Sequence, residues 1–239
     1  MIILYIFPHP DDESFGPAAA IQQHIRTGNQ VHLLTLTRGG ATKVRHTLGL
    51  SVQEMGEIRY QEMKEVKEAL QLSSLTVLDF PDSLLAQVNP IELETVVKNK
   101  ILELKANIIV SYPVHGISGF HDHLVTHAIV KRVYCALKAS GNPFLKRFAM
   151  FTLSEQQHSG FNKSTIPITF TPDERIGVRI SLTDEDRAAM EKALVCYRTY
   201  QETISKTIGT APPMQEVVFE LFGESFEHPL RDITDQLSS

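Results

Sequence analysis

Short apolar runs alternate with helical periodicity along the first 145 residues of this chain. Four runs rich in β-branched residues have the length and composition of buried strands, at 2–7, 31–37, 75–80 and 107–113. The segments between and after them carry the apolar stripe of amphipathic helices, at 17–27, 54–72, 91–105 and 123–139. Because strands and helices in this order form right-handed crossovers, the chain is restricted to an α/β fold. We predict a Rossmann-like, open and mostly parallel sheet with helices on both faces.

The pattern loosens beyond residue 145. It predicts further strands at 148–153 and 176–182, a helix at 184–206 that begins at Thr183 or Asp184, and a loop at 209–215. A chain of 239 residues can bury one large core. We therefore predict a single domain over 1–239, with a core at about 1–145 and a C-terminal extension at 146–239.

Composition and charge exclude several classes of function. The 23 basic and 28 acidic residues give a net charge of −5, and no basic tract is available to neutralise a nucleic acid backbone. The N-terminal apolar run ends at Pro8 and has no basic flank, so it predicts neither a signal peptide nor a membrane span. Cys135 and Cys196 give no disulfide framework. We expect a cytoplasmic protein that binds neither nucleic acid nor membrane, and the sequence is compatible with a homo-oligomer.

Polar clusters follow each of the first four predicted strands. They read "HPDDE" (9–13), "TRGG" (37–40), "FPDS" (80–83) and "HGISGFHDH" (115–123). In an open parallel sheet, ligands bind beyond the carboxyl ends of the strands. The four clusters should therefore surround one binding site.

The first cluster sets Asp11, Asp12 and Glu13 side by side, and their mutual repulsion calls for a positive charge among them. His9 and Asp12 can converge on one metal around Pro10, and imidazole with carboxylate suits zinc. A catalytic zinc commonly takes three protein ligands. The spacing leaves three candidates for the third, His121, His123 and His127. Asp11, beside a ligand, is a candidate general base that accepts the proton of an attacking water.

A plainer interpretation competes with this one. A lone "HPDD" is also typical of a capped turn, in which Asp11 or Asp12 accepts backbone hydrogen bonds at the start of a helix. Glu13 can simply face the positive end of the following helix. The presence of His121, His123 and His127 later in the chain favours the metal site over the capped turn.

These motifs resemble the LmbE-like or PIG-L family of zinc-dependent N-acetylglucosaminyl deacetylases. "FPHPDDESFGPAAA" (7–20) is similar to the family's first signature, a strand followed by HPDDE and a helix of small residues. "YPVHGISGFHDH" (112–123) is similar to its second, a strand, a proline and a glycine-containing loop that ends in GHPDH. The resemblance covers about residues 1–140. It implies zinc bound by His9, Asp12 and His123, with Asp11 as the general base.

One position departs from the family pattern. Where the family has the first histidine of GHPDH, this chain has Phe120, and the following proline is His121. An imidazole can donate to developing negative charge and a phenyl ring cannot. We predict that His121 takes over this catalytic role. The alternatives are that His115 does so, that catalysis is slower, or that the chain keeps the metal and has lost the chemistry.

The resemblance also implies two substrate-binding residues, Arg59 in "EIRYQEM" and Asp82 in "FPDS". Arg38 in "TRGG", like Arg45, is a further candidate that can bind an anionic group of the substrate. Arg59 can instead form a surface ion pair with Glu62 or Glu54, and Asp82 can be an ordinary turn carboxylate after a proline.

The family function that the resemblance implies is hydrolysis of an N-acetyl group from an amino-sugar conjugate, such as N-acetylglucosaminyl-malate in bacillithiol synthesis. Zinc is the expected cofactor, although Fe²⁺ and other divalent ions suit the same ligands. Two rival functions are an amidase that acts on a thiol conjugate and a catalytically silent protein that binds metal and sugar. A magnesium phosphohydrolase is disfavoured because histidines are poor magnesium ligands.

Overall fold

Seven strands form one sheet in the computed structural model, which describes residues 1–156, 167–208 and 213–238. The strands are β1 (Ile2–Phe7), β2 (Gln30–Thr37), β3 (Ser74–Phe80), β4 (Ile108–Ser111), β5 (Arg147–Thr152), β6 (Val178–Ser181) and β7 (Glu216–Leu221). Their spatial order is β3-β2-β1-β4-β5-β7-β6. The first five run parallel, β7 runs antiparallel to β5, and β6 pairs antiparallel with β7 and so runs in the same direction as the first five. The prediction of an open, mostly parallel α/β sheet is confirmed.

Helices cover both faces of this sheet. They are α1 (Pro17–Arg26), α2 (Val44–Thr47), α3 (Val52–Leu70), α4 (Pro90–Leu104), α5 (His121–Ala139), α6 (Asp184–Cys196) and α7 (Gln201–Ile208). Side chains of β1 alternate between two cores, with Tyr5 and Phe7 in the core that includes α1, α3 and α6, and Leu4 and Ile6 in the core that includes α4 and α5. No helix in the described ranges is long and apolar enough to span a bilayer.

Two elements differ from the sequence predictions. The helix predicted at 184–206 ends at Cys196, and α7 follows only after a 3-10 turn at 198–200. The interruption has a tertiary cause, because the Thr199 amide donates to the carboxylate of Glu62 (2.8 Å) rather than to a helical carbonyl. Strand β7 was not predicted at all. In the predicted loop at 209–215, residues 213–215 have no regular structure and residues 209–212 lie outside the described ranges.

The carboxyl ends of β1 to β4 lie along one edge of the sheet, as parallel pairing requires. The chain after β1 is joined to the end of β2, where the amide and the hydroxyl of Thr37 both donate to the carbonyl of Pro8 (2.9 Å each). Gly39 follows with φ +66°, and a Cβ there would lie 2.8 Å from both Pro10 and Arg59. The loops after β1 and β2 are thus packed too closely for any side chain at this position.

Candidate active site

The turn after β1 contains a strained residue. Asp11 has φ +82°, a backbone conformation that residues other than glycine rarely adopt and that costs about 1–3 kcal/mol. The turn is held by the carbonyl of Asp11, which accepts from the amides of Ser14 (2.8 Å) and Phe15 (3.1 Å). With this conformation at Asp11, the two neighbouring carboxylates contact different groups: Asp11 contacts Arg59, and Asp12 contacts two histidines. Strain of this kind is typical of functional sites.

Asp12 brings together two histidines from distant parts of the chain. Its Oδ2 lies 3.5 Å from Nδ1 of His9, and its Oδ1 lies 3.4 Å from Nε2 of His123. One ligand atom from each of these three residues lies within 4.8 Å of the others. The three residues that were predicted as metal ligands therefore meet in one cluster, although their ligand role remains a prediction.

The geometry separates the three histidines that the spacing left open. Of these three, His123 is the one that contacts Asp12, because it lies in the first turn of α5 and faces the end of β1. His121 begins the same helix with its side chain exposed. His127 lies one turn further along, where its Nδ1 donates to the carbonyl of Tyr112 (2.9 Å).

Hydrogen bonds fix the orientation of both imidazoles in the cluster. Nδ1 of His123 donates to the carbonyl of Gly116 (2.9 Å), which turns its Nε2 toward Asp12. Nε2 of His9 lies 3.1 Å from Asp122 and 3.3 Å from Asp82. When His9 donates from this nitrogen, its Nδ1 is the ligand atom on the side of Asp12. Histidines that bind metals are typically held by carboxylates or carbonyls in this way.

A second group of possible ligand atoms, from His9, Asp82 and Asp122, also lies within 4.8 Å. Its carboxylates already accept backbone hydrogen bonds. Asp122 accepts from the amides of Ser83 (2.8 Å) and Leu85 (3.1 Å), and Asp82 accepts from the amide of Ala41 (2.6 Å). Both carboxylates thus contact Nε2 of His9 as well as backbone amides, and the predicted role of Asp82 in substrate binding stays a prediction.

The pKa values of His9 and Asp12 are shifted by their contacts, and the donor set that they form with His123 suits a metal cation. Burial lowers the pKa of His9, but hydrogen bonds with Asp12, Asp122 and Asp82 outweigh this effect and raise the pKa well above its usual value. Burial raises the pKa of Asp12, but His123 and His9 outweigh it and hold that pKa well below its usual range. Two imidazole nitrogens and one carboxylate oxygen form a donor set that fits Zn²⁺, which would displace the proton from His9.

Tyr112, which the sequence analysis did not single out, completes the surroundings of Asp12. Its hydroxyl donates to Oδ1 of Asp12 (2.6 Å), and its ring stacks on His123 with centroids 4.2 Å apart and an angle of 9° between the planes. The residue stands at the end of β4, directly before Pro113. That position at a strand end was the signal in the sequence that could have identified it.

Tyr112→Phe is expected to weaken metal binding by about 10- to 100-fold, because the ring is kept while Asp12 loses the partner that orients it. The measurement is competition with a chromogenic chelator. Tyr60→Phe is the matched control, since Tyr60 packs against Arg38 and Lys64 and not against the cluster. Unchanged metal affinity in Tyr112→Phe would mean that Asp12 is oriented by the His9 amide alone (2.9 Å).

Asp11 forms a buried ion pair with Arg59. The Oδ2 of Asp11 accepts from the guanidinium at 2.5 Å, and Arg59 also donates to the carbonyls of Pro10 (2.9 Å) and Gly39 (3.3 Å). The guanidinium lies 4.5 Å from the ring centroid of Tyr200. Only 3% of Arg59 is exposed. The residue that was predicted to bind substrate therefore contacts the candidate base in this structure.

Both acids flanking Asp12 have raised pKa values. Burial raises the pKa of Asp11, and the positive charge of Arg59 opposes that rise. Burial also raises the pKa of Glu13 to about 7. One oxygen of Glu13 accepts from Ser14 (2.6 Å) and Tyr197 (2.7 Å), while its other oxygen is buried without a partner among the described residues. Glu13 thus joins the first motif to the end of α6 and does not contact the metal cluster.

Three other predictions fall outside the cluster. His121 makes no hydrogen bond or ion pair with the described residues, so the structure does not bring it to the role left by Phe120. His115 turns away as well, with Nε2 3.1 Å from the hydroxyl of Thr171. Phe120 is 52% exposed and meets His123 edge-on. The third is Arg38, which pairs with Glu57 and Asp79 beside α3, so its role in substrate binding stays a prediction.

Residues 4–134 match the model of the PIG-L family, which is described as GlcNAc-PI de-N-acetylase. A relative from Bacillus anthracis, "Probable N-acetyl-alpha-D-glucosaminyl L-malate deacetylase 2", is 28% identical over 122 residues, which are 50% of this chain and 54% of the relative. A "1D-myo-inositol 2-acetamido-2-deoxy-alpha-D-glucopyranoside deacetylase" from Kineococcus radiotolerans is 26% identical over 167 residues, 59% of this chain and 46% of the relative. The chain spans about half the length of these curated relatives.

The fold extends this similarity beyond the matched motifs. A crystal structure of a deacetylase from the teicoplanin biosynthesis pathway superposes with a TM-score of 0.68, covering 92% of this chain and 98% of the other. Sequence identity between the two is 16%, so the likeness concerns the fold alone. The match includes the C-terminal region that lies outside the family model.

Proposed function

The chain belongs to the PIG-L family, and from that premise we propose that it is a metal-dependent hydrolase that removes the acetyl group from a small N-acetylglucosamine-type conjugate. The observation that carries this proposal is the buried carboxylate of Asp11, which precedes Asp12 in the chain and interacts electrostatically with both Asp12 and His9 of the cluster of His9, Asp12 and His123. The relatives named as deacetylases of a glucosaminyl malate and of a glucosaminyl inositol support a sugar with a small polar aglycone. The identity of that aglycone is left to experiment.

His9, Asp12 and His123 would hold the metal, for which we propose Zn²⁺. Fe²⁺ and other divalent ions suit the same nitrogen and oxygen donors. A cation bound there supplies Lewis acidity toward a carbonyl oxygen. The surrounding contacts of Tyr112, Gly116 and Asp122 hold the three ligands in fixed orientations before the metal binds.

Asp11 supplies the proton chemistry in this proposal. It takes the proton of the attacking water and returns it to the amide nitrogen as the C–N bond breaks, so that acetate and a free amine leave. The ion pair with Arg59 fixes the position of the carboxylate and favours its ionised form against the effect of burial. Arg59 therefore acts by positioning the base. A cytoplasmic location and homo-oligomerisation stay predictions.

The deciding experiment is a deacetylation screen with metal-loaded protein. The substrates are N-acetylglucosamine joined to malate, to inositol and to a simple alkyl aglycone, together with an amide-linked thiol conjugate of glucosamine, and the released acid and free amine are measured separately. Release of both in equal amounts is the expected result. Release of a carboxylic acid other than acetate from a thiol conjugate would instead identify the amidase, and a metal-bound protein with no turnover on any substrate would identify the silent binding protein.

Phe120→His is expected to raise the rate on the best substrate by up to roughly 10²–10³-fold, since one added donor can stabilise the oxyanion by that amount. Phe120 is half-exposed beside His123, and no described histidine outside the cluster lies there to provide this donor. The measurement is kcat, with metal content determined on the same samples.

His121→Ala serves as the companion variant. Because His121 is exposed and has no partner in the described ranges, this substitution should change turnover less than about twofold. A large loss of turnover with full metal content would show that His121 does act in catalysis, and the structure would then have to change on substrate binding.

A further inference from the structure

A cavity lies beside α5, between that helix and the end of β7. It has a volume of about 460 Å³, within the roughly 300–1,000 Å³ typical of small-molecule sites. Its wall is formed by α5, the segment at 174–177, the end of β7 and the residues that follow it, together with Val114 and Met150. None of His9, Asp12 or His123 lines it. This cavity is therefore distinct from the candidate metal centre.

A buried histidine with a free nitrogen lines this cavity. His127 is 6% exposed, and its Nδ1 must carry a proton because it donates to a carbonyl, that of Tyr112. Burial lowers the pKa of His127, so the ring is neutral near pH 7. Its Nε2 is then a hydrogen-bond acceptor, and it has no partner within the described parts of the chain. A ligand with a hydroxyl group would satisfy it.

Lys131, one helical turn after His127 on α5, also lines the cavity. Lys131 forms no ion pair with a described residue, and its ammonium lies 4.8 Å from the ring centroid of Phe222. Residues one turn apart on a helix have Cβ atoms roughly 5–6 Å apart. The acceptor of His127 and the charge of Lys131 can therefore meet two adjacent groups of one small molecule.

The acids of the wall are mostly already neutralised. Glu220 accepts from Arg175 (2.6 Å) and from the hydroxyl of Thr171 (2.8 Å), and Glu224 forms a two-point ion pair with Arg147 (2.8 and 2.7 Å). Glu174, the other acid of the wall, is exposed. Lys131 thus remains the cation in the wall that is available to pair with an anion.

We propose that this cavity binds a small hydroxycarboxylate with an apolar or aromatic body. The carboxylate pairs with Lys131, the hydroxyl donates to Nε2 of His127, and the body packs on apolar side chains. Those side chains are Met150, Ile176, Leu221, Phe222 and Phe226. The ligand needs no acetamide, so the site is independent of the proposed deacetylase chemistry.

Calorimetric titration with mandelate tests this site, since mandelate joins a carboxylate, an adjacent hydroxyl and a phenyl ring. Binding in the millimolar range or tighter is expected, with Lys131→Met weakening it about tenfold or more through loss of a charge-assisted hydrogen bond. Arg132→Met is the matched control, because Arg132 is the next residue on α5 but is exposed and pairs with Glu94. Its affinity should equal that of the unchanged protein.

Two analogues test the separate contacts. Phenylacetate lacks the hydroxyl for His127, and mandelamide lacks the charge for Lys131, so each should bind several-fold more weakly than mandelate. The same titration on protein stripped of metal should give the same affinity. Loss of binding on metal removal would place mandelate at the metal centre and overturn the proposal. So would equal binding to Lys131→Met, or no binding at all.

Discussion

Asp11→Asn is expected to lower turnover of an N-acetyl amino sugar by about 10²-fold or more, while the metal content stays unchanged. The amide keeps the size and shape of the carboxylate but cannot accept the proton of the attacking water. Asparagine is also a residue that tolerates positive φ, which this position requires at +82°. The loss should therefore come from chemistry and not from a rearranged turn.

Stability must be measured alongside, because the substitution leaves the buried Arg59 without its counter-charge. Thermal unfolding gives the fraction of protein that is folded at the assay temperature, and metal analysis gives the fraction that carries the ion. Turnover is then expressed per folded, metal-loaded chain. Asp79→Asn is the control, since Asp79 is an exposed carboxylate that pairs only with Arg38 among the described residues. Near-normal turnover in folded Asp11→Asn would remove Asp11 from the mechanism and leave it as a partner of Arg59.

His123→Ala is expected to abolish metal retention. The purified protein should carry about one divalent ion per chain, and the variant close to none after dialysis, because two of three ligands cannot hold the ion against a weak chelator. His9→Ala and Asp12→Ala should behave alike. The measurement is elemental analysis of the dialysed protein.

His121→Ala provides the contrast from within the same motif. It removes an imidazole two residues away whose side chain is exposed and outside the cluster, so metal content should stay at about one per chain. Full occupancy in His123→Ala would contradict the assignment of the third ligand. The group of His9, Asp82 and Asp122 would then be the alternative position for the ion.

The parallel part of the fold could be predicted because its signals are local. Strands β1 to β4 are short apolar runs followed by turn residues, and each lies within a few residues of its predicted bounds. Strand β7 could not be predicted in the same way. Its apolar alternation is interrupted by Glu220, whose charge is balanced by Arg175 from another part of the chain. Strand β7 lies between β5 and β6, and its stability depends on partners that its own sequence does not contain.

The residues of the candidate site that belong to the two motifs could be predicted from the sequence. The contacts made between distant parts of the chain could not. His9, Asp12 and His123 meet as the motifs imply. For Arg59, the alternative interpretation was a surface ion pair with Glu62 or Glu54 on its own helix. In the structure Glu62 binds Thr199, Glu54 caps the helix at Ser51, and Arg59 binds Asp11, 48 residues away. Its role in substrate binding stays a prediction. Periodicity within one helix cannot reveal a partner on another loop.

The aromatic rings of Tyr197 and Tyr200 lie against Arg59, which holds the candidate base, yet both stand outside residues 4–134 that match the family. Two chains could therefore share every residue of the HPDDE and HDH motifs and still differ in how firmly the base is held. Enzyme engineering can use this separation: substitutions at 197–200 offer a way to adjust the rate and pH range of catalysis without touching a metal ligand. Classification by motif alone would not detect such changes.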